Sequence, residues 1–137
     1  MITAVDTSVL LDLLLRDPTF GARSEEALRK ASRDGALIIC EVVYAELAGL
    51  FPSHTALETF LRETGIQLKP SHPEILWKAG ELWRRFCVDR TRPAAAARRI
   101  LSDFLIGAHA MLQAEQLLTR DKDFYRAVFS GLQIASP

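Results

Sequence analysis

The segment ITAVDTSVLLDLL, residues 2–14, decides the fold of this chain. Residues 2–5 form a short β-type run, and the stretch that starts at Ser8 has the apolar spacing of an amphipathic helix. Short β-type runs alternate with helical patterns in the same way along the rest of the chain. This alternation predicts a parallel sheet covered by helices, with Asp6 at the carboxyl end of the first strand.

The remaining elements follow the same periodicities. Further strands are predicted at residues 36–39, 66–68, 116–119 and 132–134, and further helices at residues 24–33, 41–50, 55–63, 73–88, 98–115 and 121–129. The segment DRTRPAAAA, residues 89–97, holds a proline and four alanines. It fits either a connection or the first turn of the next helix, and the sequence leaves that choice open.

Length and composition are those of an ordinary globular protein. The chain has 137 residues, 49% hydrophobic and 25% charged, which suits a single domain spanning residues 1–137 and excludes a disordered class. Cys40 and Cys87 form no C-x-x-C pair, which fits a reducing compartment. The apolar run from Val9 is broken by Asp12, well short of the ~18 residues that a membrane span needs. We therefore expect a cytoplasmic protein without a membrane partner.

Global charge gives no sign of a nucleic-acid binder, because 17 basic and 17 acidic residues balance. The basic residues are concentrated locally, however. Such a stretch could bind a polyanion, or it could be a solvated helix face followed by a loop. Between residues 77 and 99 only Glu81 and Asp89 oppose seven basic residues: Lys78, Arg84, Arg85, Arg90, Arg92, Arg98 and Arg99.

Four carboxylates lie where the chain changes structural state: Asp6, Glu46, Asp103 and Asp121. Ligands of open α/β sheets bind beyond the carboxyl ends of the strands, where Asp6 and Asp121 are predicted to fall. Glu46 and Asp103 would reach the same edge from helices. Small residues at Gly107 and Ala110 share the Asp103 stripe and would let that helix approach another element closely.

Each acid also has a purely structural interpretation. Asp6 and Asp121 precede helices and could be N-caps. Glu46 could lie on the solvated side of its helix, with Val43, Leu47 and Leu50 facing inward. Asp103 is harder to explain in this way, because its helical neighbours are apolar nearly all round and a buried carboxylate needs a partner.

A divalent metal would resolve the repulsion among such acids, since two like charges roughly 4 Å apart repel by about 4 kcal/mol at an effective dielectric of 20. Oxygen ligands without histidine or cysteine suit a hard ion, Mg²⁺ with Mn²⁺ as a substitute. Such a site indicates phosphodiester hydrolysis by a metal-activated water. Motifs for a serine nucleophile, a P-loop or a zinc protease are missing from the sequence.

Four segments in order along the chain, AVDTSVLLDLL, EVVYAEL, SDFLIGAHA and LLTRDKDFYR, resemble the signature segments of PIN-domain ribonucleases, specifically VapC-type toxins of toxin–antitoxin pairs. The resemblance implies a three-layer α/β/α fold with a mainly parallel sheet, Mg²⁺-dependent endoribonuclease activity, a homodimer and an inhibitory antitoxin protein. By position, the catalytic acids would be Asp6, Glu46, Asp103 and Asp121, with metal on Asp6, Asp103 and Asp121. Supporting groups would be Thr7, Ser8 and Thr119, and either Asp121 or Asp123 could complete the site.

The first hypothesis is therefore an endoribonuclease toxin. Its expected contacts to the RNA backbone are basic residues near the site: Arg84, Arg85, Arg98, Arg99, Arg120 and Lys122. The second hypothesis is a non-catalytic PIN-like module that works through an antitoxin and operator DNA. A phosphatase with an aspartyl nucleophile is disfavoured, because Asp6 is followed by Thr7 and Ser8 and not by the D-x-D pattern.

Overall fold

A computed structural model describes residues 1–88 and 100–137 of the chain. Its strands are β1 (Ile2–Val5), β2 (Ala36–Ile39), β3 (Ile66–Leu68), β4 (Gln116–Leu118) and β5 (Gln133–Ala135). The helices in these ranges are α1 (Thr7–Leu14), α2 (Gly21–Asp34), α3 (Glu41–Ala48), α4 (His54–Thr64), α5 (Pro73–Val88), α6 (Leu101–Gln113) and α7 (Lys122–Val128).

The five strands form one sheet in the order β3-β2-β1-β4-β5, and every pairing is parallel. Successive connections run outward from β1 in one direction and from β4 in the other. The usual right-handed crossovers then place α1 to α4 on one face and α5 to α7 on the other. The predicted α/β/α architecture with a mainly parallel sheet is confirmed, and the strand order reverses between β1 and β4.

The core is made by the strands and the helix faces that cover them. Buried aliphatic side chains of β1, β2 and β4 meet an aromatic cluster from α6 and α7, in which Phe104 contacts Phe124 at 5.5 Å and Phe129 at 6.2 Å between ring centroids. Gly107 packs directly under Phe129, since a Cβ there would lie 2.3 Å from the ring. The predicted close approach of α6 to another element is confirmed.

Three boundaries of helices and strands differ from those predicted from the sequence. The helix predicted from residue 98 begins at Leu101, because Ile100 is extended, with φ −119° and ψ 164°. The helix predicted to reach residue 50 ends at Ala48, and Leu50 is 43% exposed instead of facing inward. The last strand begins at Gln133, one residue later than predicted, since the Leu132 N–H is bonded back to Phe129.

The segment 89–97, which the sequence left undecided, lies outside the described residues. No helix in the described parts of the chain is both long enough and apolar enough to cross a membrane.

Candidate active site

Asp6 lies at the carboxyl end of β1, next to the end of β4. Its backbone N–H donates to the Leu118 carbonyl at 3.0 Å, which extends the β1–β4 pairing by one residue. Its side chain is 7% exposed, and Oδ2 accepts hydrogen bonds from the hydroxyls of Thr119 at 2.6 Å and Ser8 at 3.2 Å. Asp6 occupies the N-cap position of α1. These bonds show that its carboxylate joins the ends of neighbouring strands, while its side chain accepts no capping hydrogen bond from α1.

Burial raises the pKa of the Asp6 carboxyl above its ordinary value of 3.8, and the negative charge of Asp103 raises it further. The hydrogen bonds from Thr119 and Ser8 oppose this shift, because they favour the charged form. The charge of Asp103 is a smaller cause of the raised Asp6 pKa than burial is, and it indicates that two of the four predicted acids lie on the same side of the molecule. A cation near Asp6 would relieve both the burial and the repulsion.

Thr119 connects Asp6 to the next predicted acid. While its hydroxyl donates to Asp6, the same Oγ1 accepts the Asp121 N–H at 3.0 Å. Asp121 is half-buried at the N-cap position of α7, whereas Asp123 is exposed in the first turn of that helix. Of the two acids that could complete the site, Asp121 is the one whose backbone N–H is bonded to Thr119, the hydrogen-bond partner of Asp6.

Glu46 reaches the site from α3. It lies on the exposed side of that helix, while Val43 and Leu47 are fully buried. Its Oε1 accepts a 3.0 Å hydrogen bond from the hydroxyl of Thr7, the residue after Asp6. Glu46 is therefore exposed, as one interpretation of the sequence allowed, and is also tied to the carboxyl end of β1.

Asp103 stands in the first turn of α6, where its Oδ2 accepts the Ile100 N–H at 3.2 Å. The helix is less buried here than the sequence suggested, because Ile100 and Leu101 are 59% and 43% exposed. Phe104 and residues 106–110 are buried, whereas Leu105 is half-buried. Asp103 is thus half-buried, with one oxygen used in helix capping and its charge felt at Asp6.

The donor set is chemically suited to a hard divalent cation, since it consists of carboxylate and hydroxyl oxygens around a buried acid with a raised pKa. The positions of the acidic side chains support a metal site less well than their chemical type does. Among residues 1–88 and 100–137, no group of three or more histidine, cysteine, aspartate or glutamate side chains is arranged so that it could hold a metal ion. Asp6, Asp103 and Asp121 remain predicted ligands.

The predicted RNA-contacting residues occupy different surroundings. Arg84 and Lys122 are exposed, and Arg85 lies 3.7 Å from Glu81. Arg98 and Arg99 lie outside the described residues. Arg120 turns to α1, where its Nε lies 3.0 Å from Oδ2 of Asp12.

Asp12 also lies in this region, and the sequence did not predict a role for it beyond interrupting the apolar run. It is 2% exposed and bonded to both Ser24 and Arg120. The available signal was a single acid inside the apolar run VLLDLLL, where a charge requires a partner.

Comparison with known proteins shows the family of this chain. The family model described as the PIN domain matches residues 3–130, so the chain belongs to the PIN domain family. Among curated proteins, none is significantly similar to the chain.

Solved structures share the fold over nearly the whole chain. VapBC2 from Rickettsia felis, bound to a DNA fragment from its promoter, is similar at 20% identity, covering 99% of this chain and 98% of that one with a TM-score of 0.71. VapBC-1 from nontypeable Haemophilus influenzae is 23% identical, with coverages of 99% and 98% and a TM-score of 0.69. VapC20 from Mycobacterium tuberculosis, a sarcin-ricin loop cleaving toxin, is 15% identical, with coverages of 96% and 98% and a TM-score of 0.62. At these identities the likeness concerns the fold.

Proposed function

We propose that the chain is a Mg²⁺-dependent endoribonuclease that serves as the toxin of a toxin–antitoxin pair. The observation that carries this proposal is the buried Asp6 carboxylate, which is bonded to Thr119 and repelled by Asp103 where the strand order reverses. Open α/β sheets bind ligands at this point. The similarity to VapBC complexes and to an RNA-cleaving toxin supports the same class of activity.

In this proposal Asp6, Asp103 and Asp121 hold the cation, and Mn²⁺ substitutes for Mg²⁺. When bound, the cation would make a water more acidic and polarise the phosphoryl oxygen. Glu46, placed by Thr7 and open to solvent, would accept the proton of the attacking water. Thr119 and Ser8 would keep the Asp6 carboxylate oriented.

The partners follow from the same proposal. RNA is the substrate, with Arg84, Arg85, Arg98, Arg99 and Lys122 as contacts to its backbone. An antitoxin protein is the cognate inhibitor, and the active form is a homodimer. Arg120 is not among these contacts, because its charge is paired with Asp12.

The test is cleavage of total bacterial RNA by the purified protein in Mg²⁺, in Mn²⁺ and in EDTA. Asp103→Asn is the informative variant, because asparagine can still accept the Ile100 N–H but loses the charge. Asp34→Asn, an exposed acid at the end of α2, is the matched control. We expect discrete fragments that require metal, are made by the control and are not made by Asp103→Asn.

The alternative function is a PIN scaffold that acts by binding alone. It is favoured by the incomplete ligand spacing in the described residues and by the DNA-bound relative. Protein that binds RNA or operator DNA and never cleaves, although metal raises its melting temperature, would support this alternative. If metal changes neither cleavage nor stability, the acids are structural and the ribonuclease proposal is wrong.

A further inference from the structure

A second buried carboxylate, Asp12, lies in the second turn of α1 and is separate from the four acids above. It is 2% exposed, and its Oδ2 accepts a 2.6 Å hydrogen bond from the Ser24 hydroxyl of α2. Nε of Arg120 lies 3.0 Å from the same oxygen. Since an unpaired buried carboxylate is strongly unfavourable, the arginine is needed where it lies.

The guanidinium of Arg120 is held from a second side. Its central carbon lies 4.4 Å from the centroid of the Phe20 ring, in cation–π geometry. Phe20 is itself fixed by Asp17, whose Oδ1 accepts the N–H groups of Phe20 at 2.7 Å and Thr19 at 2.9 Å. A side chain with an ion pair on one side and a ring on the other has one preferred orientation.

The backbone of Arg120 connects this anchor to the acidic site. Arg120 stands between Thr119, which donates to Asp6, and Asp121. Its own N–H donates to the Ser8 hydroxyl at 3.4 Å, and that hydroxyl in turn donates to Asp6. The ion pair therefore joins the connection between β4 and α7 to α1, the helix that follows Asp6.

We propose that Asp12 and Arg120 are positioning residues, whose ion pair keeps Thr119 and Asp121 in place relative to Asp6. This inference deepens the proposed function and rests on it for the activity readout. It assigns Arg120 to anchoring the site and not to contacting RNA, because its charge is already paired with a buried carboxylate and its face already packs on Phe20.

The decisive variant is Arg120→Lys. Lysine keeps the positive charge, which is what a phosphate contact requires, but it lacks the planar guanidinium and its Nε–H. Arg120→Gln removes the charge, and Asp12→Asn removes the partner. Arg126→Gln removes a similar exposed charge from α7 and is the matched control.

Three measurements separate positioning from contact: Mn²⁺ affinity by calorimetry, the split between kcat and KM for RNA, and amide hydrogen exchange in the metal-free protein. Loss of groups that orient metal ligands typically costs about 10-fold to 100-fold in affinity or activity. We expect that loss in Mn²⁺ affinity and kcat for both Arg120 variants, with KM within about threefold of the unmutated value. Amides at residues 118–121 should exchange faster, and Arg126→Gln should change none of these.

A double variant, Asp12→Asn with Arg120→Gln, tests whether the two residues act together. If they form one unit, the double variant loses no more Mn²⁺ affinity than the worse single variant. If Asp12→Asn fails to fold, Arg120→Lys still carries the test, because Asp12 keeps a cationic neighbour.

The inference is overturned if Arg120→Lys keeps the Mn²⁺ affinity, kcat and exchange pattern of the unmutated protein while Arg120→Gln raises KM. That result would make Arg120 a phosphate contact. Failure of the proposed function looks different: the unmutated protein would bind Mn²⁺ and cleave no RNA, while the affinity and exchange differences would still support the positioning role. Unmutated protein that binds no Mn²⁺ would overturn both.

Discussion

The hydroxyl of Thr119 donates a 2.6 Å hydrogen bond to Oδ2 of Asp6, and the two residues follow neighbouring parallel strands. Both are buried, with Thr119 fully so. Because the same hydroxyl oxygen accepts the Asp121 N–H, one side chain links the ends of β1 and β4 to the start of α7. The geometry of the acidic site depends on this link.

Thr119→Val removes the hydroxyl with little change of volume. Leaving a buried polar group without its partner costs about 1 to 3 kcal/mol, so we expect a loss of that size in the free energy of unfolding. We also expect Mn²⁺ affinity to fall about tenfold, because the carboxylate loses an orienting donor. Denaturant unfolding at neutral pH and calorimetry measure the two effects.

Thr3→Val is the matched control at the other end of the same strands. Thr3 is fully buried, and its hydroxyl oxygen accepts the Gln116 side-chain N–H at 2.8 Å. Some stability should be lost, but Mn²⁺ affinity should stay unchanged. Equal Mn²⁺ affinity in the two valine variants would show that the bond from Thr119 to Asp6 has no part in metal binding.

Gly107→Ala tests the contact between α6 and α7. The added Cβ would lie 2.3 Å from the Phe129 ring, which is itself buried. Overpacking costs about 1 to 3 kcal/mol, against about 1 kcal/mol gained in helix propensity. We expect a net loss of about 1 kcal/mol in the free energy of unfolding, measured by denaturant titration.

Gly80→Ala makes the same change in the interior of α5, where an added Cβ meets no atom of the described residues within 4 Å. Here only the helix propensity changes, so we expect a gain of about 0.5 to 1 kcal/mol. Opposite signs for the two variants support the packing argument. A gain at both positions would mean that Phe129 moves aside freely.

The position of Asp6 could be predicted from the sequence, whereas the pairing of Asp12 with Arg120 could not. Asp6 could be placed because a short β-type run gives way to a helical pattern just after that residue, and this change is local. The partner of Asp12 could not be identified, because Arg120 follows it by 108 positions and such a pairing has no periodicity. The start of α6 was predicted at residue 98, three positions before Leu101, because apolar periodicity does not show that the backbone of Ile100 is extended.

Glu46→Gln tests the acid on α3. Glutamine retains an oxygen for the Thr7 hydroxyl but loses the charge and the basicity. Because the side chain is exposed, we expect the free energy of unfolding to change by no more than about 0.5 kcal/mol. RNA cleavage should fall at least about 100-fold if this carboxylate is a general base.

The control is Glu63→Gln, an exposed acid of α4. Both glutamine variants should unfold at similar denaturant concentrations, and only the α3 variant should lose activity. Full cleavage by Glu46→Gln would remove Glu46 from the catalytic set and leave its bond to Thr7 as a structural contact.

His109 predicts a pH dependence of stability that is separate from the acidic site. The ring is buried on α6, and its Nε2 lies 2.7 Å from the Lys69 carbonyl, to which it donates. Its Nδ1 has no hydrogen-bond partner among the described residues. Burial lowers the pKa of His109 below its ordinary value of 6.5, and the Lys69 carbonyl and the charge of Glu41 only partly oppose this shift.

Because the folded pKa is lowered, the unfolded chain takes up a proton at a higher pH than the folded protein does. The contribution of His109 to stability is therefore complete above about pH 7 and is lost as pH falls below about 6.5. We expect the unmutated protein to lose more free energy of unfolding between about pH 7.5 and about pH 5.5 than His109→Gln does. Parallel curves for the unmutated protein and His109→Gln would show that the ring is protonated equally in the folded and unfolded states.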